Sequence, residues 1–442
     1  MNESCYGISK SAFKPLIREF LPSRQINLTF DEFGPVEHGP RWITRAELIN
    51  GMIFHVMQGP GTLAQHVTRL TGKSITDGAL SQRRGAMPWE IWDAILGAAL
   101  VPRADVKQHP EAFYRGLRLI GLDGTHGSVA NTPQTKESML KAASRRHKAA
   151  FAKVSVVTLV ELGIHNPIAA SIGPKNESEA VLTQQLWDQL PEDSLLLADR
   201  YHGVAKRMIQ MRHAQPEGRR EALMRVKEKL KAPVREVYPD GSALVEIRSG
   251  KETMLVREIR GTVQRGNGKR SRVRLWTTLL DWRQYPAQEL LALYGQRWEQ
   301  EGFHKELKVD LRSTTLLQSH TEQTAAQEIA ALILAYAMLV SERIKAAKLG
   351  QVPVLRISFA KVLYMMQGLW QFLECAEGVL TDKQVRLIVR RAMHQLATEL
   401  VPKRRQRSCP RKLRQPVSSW PRLLRNTYRK GAVHCELQPI TE

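Results

Sequence analysis

The spacing of apolar residues divides the chain into regions with different predicted structure. The runs "TRAELINGMIFHVMQ" and "PWEIWDAILGAAL" carry apolar residues three or four positions apart, which is typical of amphipathic helices. Residues 1–110 are therefore predicted to form a helical N-terminal domain. Ser81, Arg83 and Arg84 lie between these runs. Short helices with a basic segment suit a module that reads DNA ends, and a helical cap on the next domain explains the pattern equally well.

The pattern then changes to that of strands. "LRLIGLD" predicts a strand that ends on Asp123, and residues 153–163 and 168–174 predict two more. "SLLLAD" is wholly apolar, as a buried central strand would be, and it ends on Asp199. Helices are predicted in between. The order β-β-β-α-β-α-β indicates a mixed α/β sheet, the first part of a central domain over residues 111–230.

A β-rich insertion is predicted over residues 231–282, because alternating runs there flank turn signals such as Asp240-Gly241. One predicted hairpin tip, "QRGNGKRSRVR", is strongly basic. Its cationic residues are Arg265, Lys269, Arg270, Arg272 and Arg274. Contact with DNA and simple exposure to solvent are equally good interpretations of this tip.

Helical patterns return after the insertion. A long helix is predicted over residues 286–308, within a second part of the central domain at 283–345. The apolar run Ile329–Val340 is too short to span a bilayer and indicates a buried helix. Residues 346–442 are predicted to be helical and basic, with a partly disordered tail at 403–430 that binds phosphates without reading sequence.

Charge and composition favour a nucleic-acid partner inside the cell. The formal net charge is +23, and such an excess of Lys and Arg calls for a polyanion. The 43% apolar content is that of a folded protein rather than a disordered one. The four cysteines form no CxxC pair, and no signal peptide is recognised, so we expect a cytoplasmic, nucleoid-associated protein without membrane contact.

Two classes of cofactor are not expected from the motifs. No GxxxxGK[ST] loop is present, so we predict no nucleotide cofactor. His126, His147, His202 and His304 lack the spacing of zinc ligands, so a zinc site is not predicted.

Two aspartates follow apolar strands and are candidate metal ligands. Neighbouring strands lie about 4.8 Å apart, so Asp123 and Asp199 could share a divalent ion at adjacent strand ends. Two-metal phosphoryl transfer needs such converging carboxylates. Taken singly, an aspartate after a strand is more often a turn or helix cap.

The predicted helix 286–308 carries a third carboxylate among cations. On a regular helix, five residues fall within an arc of roughly 80°: Tyr294, Arg297, Glu301, Lys305 and Lys308. Phe303 and Leu307 lie roughly opposite and would anchor the helix on the sheet. This face could hold a metal and grip phosphates. On spacing alone, a solvated charged face with pairs such as Glu301 to Lys305 is the favoured explanation.

The spacing Tyr-x2-Arg-x3-Glu-x6-Lys resembles the signature of the insertion-sequence-4-type DDE transposases. "GLDGT" and "LLADRYHG" are similar to the first two acidic motifs of that family, and the β-rich insertion before the glutamate matches it as well. The resemblance covers most of residues 15–345. Thr125 and His126 depart from it, because the family often has an apolar or aromatic residue close by.

The resemblance implies an RNase H-like α/β fold in which Asp123, Asp199 and Glu301 are catalytic and bind two Mg²⁺ or Mn²⁺ ions. It also implies a homodimer in a synaptic complex with double-stranded DNA, made up of terminal inverted repeats and target DNA. Family members nick to expose a 3′-OH, commonly pass through a hairpin end, and join that end to the target. The residues expected to contact DNA phosphates are Tyr294, Arg297 and Lys308, together with Lys305 and Arg200.

Trp276 lies in the insertion, where relatives use a tryptophan to stack on a flipped base. A core tryptophan is the alternative. Two other functions also remain open: a catalytically inactive, transposase-derived DNA-binding regulator, and another RNase H-like metal-dependent nuclease such as a junction resolvase.

Overall fold

A computed structural model provides the structure of the chain. It describes residues 19–35, 41–139, 141, 150–173, 177–214, 217–264, 270–312 and 316–402. The basic tail predicted at 403–430, and Arg265 and Lys269 of the predicted tip, lie outside the described residues.

The helices are α1 Ser23–Phe33, α2 Arg45–Val56, α3 Leu63–Thr71, α4 Asp77–Gly85, α5 Trp89–Ala99, α6 Pro133–Ser138, α7 Glu179–Gln184, α8 Ala205–Ala214, α9 Ala287–Leu293, α10 Trp298–Lys305, α11 Glu322–Gly350, α12 Phe359–Cys375 and α13 Asp382–Thr398. The strands are β1 Phe113–Tyr114, β2 Leu117–Val129, β3 Ala152–Glu161, β4 Asn166–Gly173, β5 Ser194–Gly203, β6 Arg220–Val226, β7 Val234–Val237, β8 Ala243–Ser249, β9 Glu252–Gln264 and β10 Arg270–Thr277.

Within the described part of the chain, the strands form one mixed sheet in the order β4-β3-β2-β5-β6-β10-β9-β8-β7, with β1 paired to β2. Strand β3 is antiparallel to both β2 and β4, while β5 is parallel to β2 and β6 is parallel to β5. An antiparallel meander of three strands followed by two parallel strands, with β2 in the middle of the five, gives the RNase H-like arrangement. The predicted mixed α/β fold is confirmed.

The β-rich insertion continues this sheet, because β10 pairs antiparallel with β6. Gly241 and Gly250 take positive φ at two of its turns, as the turn signals indicated. One member of the predicted basic tip is not at a tip at all. Arg274 is 4% exposed and donates to the Glu258 carboxylate, 2.6 Å away, and to the backbone of residues 227–230. It is a buried structural arginine, so the prediction of an exposed cation is wrong for Arg274.

The N-terminal helices pack on the rest of the molecule through a shared core. Thr44 and Thr62 close capping boxes at the starts of α2 and α3. Arg83 donates to the Ile43 carbonyl, and Arg84 donates to Ser319 and to the Thr324 carbonyl at the start of α11. The two arginines therefore tie α4 to its surroundings, which favours the helical cap over the DNA-reading module for this segment.

The apolar run Ile329–Val340 forms the middle of α11, and each of its residues is buried. This helix is long and apolar enough to cross a membrane by length and composition, but 83% of its apolar window is buried inside the fold. It is the core helix that the sequence predicts.

Two predicted element boundaries are wrong. Strand β2 does not end on Asp123 but continues to Val129, paired with β3 throughout. The predicted helix 286–308 is not regular either. After α9 the chain makes a 3₁₀ turn at Tyr294–Arg297, and after α10 it widens into a π-helix at Glu306–Leu311. Wheel positions calculated at 100° per residue therefore do not hold across it.

Candidate functional site

Three neighbouring strands bring charged residues to the same level of the sheet. The last parallel pair between β2 and β5 is Leu122 with Ala198, so Asp123 and Asp199 follow it side by side. On the next strand, β6, Arg225 follows the residue that pairs with Ala198. Leu119–Leu122 on β2 and Ser194–Ala198 on β5 are buried, and Asp123 and Asp199 are the residues that follow these buried runs.

A close contact with β2 positions the segment that carries Glu301. Gln300 is fully buried, and its Nε2 donates to Thr158 Oγ1 on β3 at 3.1 Å. A Cβ at Gly121 would come within 2.4 Å of Gln300 Oε1, so only glycine allows α10 to lie this near to β2. Phe303 and Leu307 are buried, as predicted for the residues that anchor this segment.

These elements enclose a polar cavity of about 500 Å³. Its lining residues are Asp123, Asp199, Arg200, Arg225, Tyr294, Arg297, Glu301 and His304. The cavity brings together the three predicted carboxylates and three of the five predicted phosphate contacts. Its lining combines three carboxylates with three arginines, which suits an anionic substrate held beside a cation.

Crowding of negative charge shows in the pKa of Asp123. Burial, and then the neighbouring Asp199, raise the pKa of the Asp123 carboxyl to about 6. Arg297 and a hydrogen bond from the Gly124 amide at 2.9 Å act in the opposite direction without cancelling the rise. A raised pKa here means that the protein alone undercompensates the carboxylate charge.

Tyr294 and Arg297 link the broken helix to the site. The Tyr294 hydroxyl donates to the carbonyl of Ala198, the residue before Asp199, at 3.2 Å. Burial raises the pKa of this phenol to about 12, so it stays a donor. Arg297 donates to Glu301 Oε1 at 3.2 Å, and the two side chains are 12% and 31% exposed.

The cavity also holds two residues that the sequence reasoning missed. His304 Nδ1 lies 3.9 Å from Asp123 Oδ2, and burial lowers the pKa of His304 to about 3, so the imidazole is neutral. Its position three residues after Glu301, on the same helix face, was the available signal. The available signal for Arg225 was the run of buried residues just before it on β6, because similar buried runs precede Asp123 and Asp199.

The two predicted lysines differ in placement. Lys308, in the π-helix, is half-buried and outside the lining, and its pKa is lowered by burial and by Arg312, with Asp123 acting in the other direction. Lys305 is also outside the lining: its side chain is 67% exposed and its Nζ lies 3.4 Å from Asp310. Of the five residues predicted on one face, Tyr294, Arg297 and Glu301 therefore line the cavity and the two lysines do not.

Trp276 belongs to the core rather than to an open surface. It is 2% exposed, lies in a buried cluster beneath the sheet, and its Nε1 donates to Glu258 Oε2 at 2.8 Å. Stacking on a base would require this hydrogen bond to break and the ring to leave the core. Trp276 is therefore the core tryptophan that the sequence analysis gave as the alternative to a base-stacking residue.

A second charged cluster lies behind the same segment. His165, in the turn between β3 and β4, is 1% exposed and bridges Glu299 at 3.0 Å and Glu306 at 2.9 Å. Glu306 also accepts from the Tyr336 hydroxyl at 2.6 Å and from Arg343 at 3.2 Å. Although burial opposes both shifts, these partners lower the pKa of Glu306 to about 2 and raise that of His165.

Comparison with known proteins decides the family. The family model described as "Transposase DDE domain" matches residues 115–338, which include the strands and the broken helix of the site. The chain belongs to the DDE transposases. It is also 25% identical over 321 residues, 71% of each chain, to the transposase InsG of insertion sequence element IS4 from Escherichia coli strain K12.

Among solved structures, this transposase resembles a cryo-EM structure of a piggyBac transposase synaptic complex with hairpin DNA. The TM-score is 0.42 at 10% identity, over 88% of this chain and 87% of that chain, and no argument rests on that likeness. The family and the relative support an IS4-type DDE transposase.

Proposed function

We propose that this transposase excises and inserts an insertion sequence by cutting DNA at terminal inverted repeats and joining the freed ends to target DNA. Asp123, Asp199 and Glu301 are the proposed metal ligands and catalytic residues. The proposal is supported most by one observation: the β2–β5 register sets two aspartates side by side, and Glu301 lines the same arginine-rimmed cavity.

The donor set fits divalent cations that prefer oxygen. Carboxylates from two strands and one helix offer only oxygen ligands at the cavity, which suits Mg²⁺ or Mn²⁺ with water and phosphate oxygens completing the sphere. The raised pKa of Asp123 fits the same interpretation, because nearby positive charge would relieve it. When bound, two such ions would activate the attacking oxygen and stabilise the leaving one.

The remaining cavity residues would hold the DNA backbone. Arg200 and Arg225 stand beside Asp199 and offer donors to phosphate oxygens, for which guanidinium groups are well suited. Arg297 would release Glu301 to a cation and keep its own charge for a phosphate. Tyr294 would hold the backbone of Ala198, and with it the position of Asp199. Half-buried Lys308 and exposed Lys305 would contact flanking phosphates.

The family's way of working suggests the rest of the reaction. A synaptic homodimer would hold two ends, nick each to expose a 3′-OH, pass through a hairpin on the transposon end, and join that end to the target. The net charge of +23 supports wide contact with DNA backbone. This activity would place the protein with the nucleoid in the cytoplasm, without a nucleotide cofactor.

The test is cleavage of the DNA that borders the gene. Glu301→Gln removes a ligand charge while preserving size, so cleavage in Mg²⁺ should fall about a thousandfold or more, since a metal supplies several kcal/mol. Binding to the same DNA, measured by gel shift, should remain. Glu192→Gln, on the exposed loop before β5, is the matched control and should cleave normally.

Full cleavage by Glu301→Gln would contradict the proposal. Binding without any metal-dependent nicking by the wild-type chain would favour a catalytically inactive regulator. Nicking without joining of a pre-cut end to a plasmid would favour another RNase H-like nuclease.

A further inference from the structure

A second group of possible metal ligands includes Asp123 but neither Asp199 nor Glu301. One ligand atom each from Asp123, Glu179 and His202 lies within 4.8 Å of the others. Ligands of one divalent ion sit roughly 2.0–2.3 Å from it, and hence about 3–4.6 Å from each other. The spacing therefore fits a shared cation after small side-chain movements.

His202 has no hydrogen bond that explains its burial. Its side chain is 0% exposed, yet neither ring nitrogen has a hydrogen-bond partner. Nε2 does lie 3.1 Å from Glu179 Oε1, but not with the geometry of a hydrogen bond. Burying an imidazole without hydrogen-bond partners destabilises the fold, because the ring nitrogens lose their bonds to water. A metal bound to one of its nitrogens would remove that cost.

The backbone has a glycine where Glu179 needs room to approach. A Cβ on Gly124 would come within 2.4 Å of Glu179 Cδ. Glu179 is the first residue of α7, and its side chain is 23% exposed. Any side chain at position 124 would push the carboxylate away from Asp123.

We propose that Asp123, Glu179 and His202 form a metal site in which one ligand is an imidazole nitrogen. Two carboxylates with one imidazole suit a first-row transition ion better than Mg²⁺, which prefers oxygen alone. Asp123 would be shared between this site and the cavity. Only the sharing of Asp123 rests on the proposed function. The positions of the three residues do not depend on it.

The probe is Mn²⁺ bound to the full chain without DNA, observed by pulsed electron paramagnetic resonance. We expect ¹⁴N coupling from an imidazole in the wild type, with Mn²⁺ bound about tenfold or more tightly than Mg²⁺ in competition. The double variant Asp199→Asn, Glu301→Gln should keep that coupling. His202→Asn should lose it and should weaken Mn²⁺ binding at least about tenfold.

Glu179→Gln provides a second variant that leaves the buried imidazole in place, and it should weaken Mn²⁺ binding to a similar extent. The matched controls are Glu177→Gln, two residues earlier, and His213→Asn at an exposed site. Both should bind Mn²⁺ as the wild type does.

Mn²⁺ without ¹⁴N coupling in the wild type would overturn the proposal, leaving only a His202–Glu179 contact. Coupling that disappears in His304→Asn but persists in His202→Asn would also overturn it, because His304 belongs to the helix that carries Glu301 and is not one of the three proposed ligands. Neither result depends on DNA cleavage, so failure of this site and failure of the proposed function can be told apart.

Discussion

The segment from Tyr294 to Leu311 contributes to two charged clusters, and the carboxylates of the two clusters have their pKa shifted in opposite directions. In the cavity, Asp123 and Asp199 stand side by side and the pKa of Asp123 is raised to about 6. Behind the segment, Glu306 is surrounded by His165, Arg343 and the Tyr336 hydroxyl, and its pKa is lowered to about 2. The buried cluster supplies its own positive charge. The cavity leaves its carboxylates short of positive charge, as a site does when a cation from solution completes it.

Removing a cation from the buried cluster should have the largest effect on stability. Arg343 is 2% exposed and holds both Glu306 and the Ile357 carbonyl. Arg343→Met should lower the free energy of unfolding by about 3–5 kcal/mol, because it leaves buried acceptors without a donor. Urea denaturation measures this. The control Arg235→Met breaks the more exposed pair with Glu246 and should change little. Equal effects of the two variants would mean that Arg343 stabilises the fold no more than a surface ion pair does.

Removing a charge from the cavity should act in the opposite direction. The pKa of Asp123 is raised from 3.8 to about 6, so the folded state holds its proton more tightly than the unfolded state does. The cost of ionising it is therefore absent below about pH 4 and complete above pH 6. Asp123→Asn should stabilise the metal-free protein by about 1–3 kcal/mol at pH 8, with no gain at pH 4.

Thermal unfolding in a chelator is the measurement for Asp123→Asn. Divalent ions should raise the melting temperature of the wild type more than that of the variant, since they replace the missing charge compensation. If Asp123→Asn were less stable than the wild type at pH 8, the protein itself would already compensate the negative charge of the Asp123 carboxylate.

The smallest effect is expected from the pH response of the buried cluster. Glu306 and Glu299, opposed by burial and Arg343, raise the pKa of His165. A raised histidine pKa stabilises the fold fully below the unfolded value near 6.5, and this contribution is lost as pH rises through the folded pKa. The stability lost in His165→Asn should therefore be larger at pH 6 than at pH 9. His213→Asn, on the surface, is the control. A loss that does not depend on pH would indicate a neutral His165.

The sequence predicts well what depends on local pattern. Apolar runs before Asp123 and Asp199 predict buried strands, and the parallel register then makes the two aspartates neighbours. The apolar run Ile329–Val340 predicts the core helix in the same way. In both cases a run of consecutive apolar side chains is enough to predict that the residues are buried.

What the sequence does not predict depends on partners far along the chain. Trp276 and Arg274 look available in the sequence, but Glu258 on β9 accepts from both and holds them inside. Lys305 lies one helical turn after Glu301 within α10, but its long side chain is exposed and its Nζ lies 3.4 Å from Asp310, which the spacing does not indicate. His202 and Glu179 meet Asp123 only through folding, and no spacing in the sequence indicates it.

The segment from Tyr294 to Leu311 is anchored on two sides at once, through Glu301 towards the cavity and through Glu306 towards the buried cluster. An added or deleted residue between those glutamates would rotate one relative to the other by about 100°. Many point substitutions along this stretch would leave both glutamates in place. A change in its length would move either Glu301 or Glu306 out of position whenever the other is kept. Its residue count is therefore under stronger constraint than most of its residue identities.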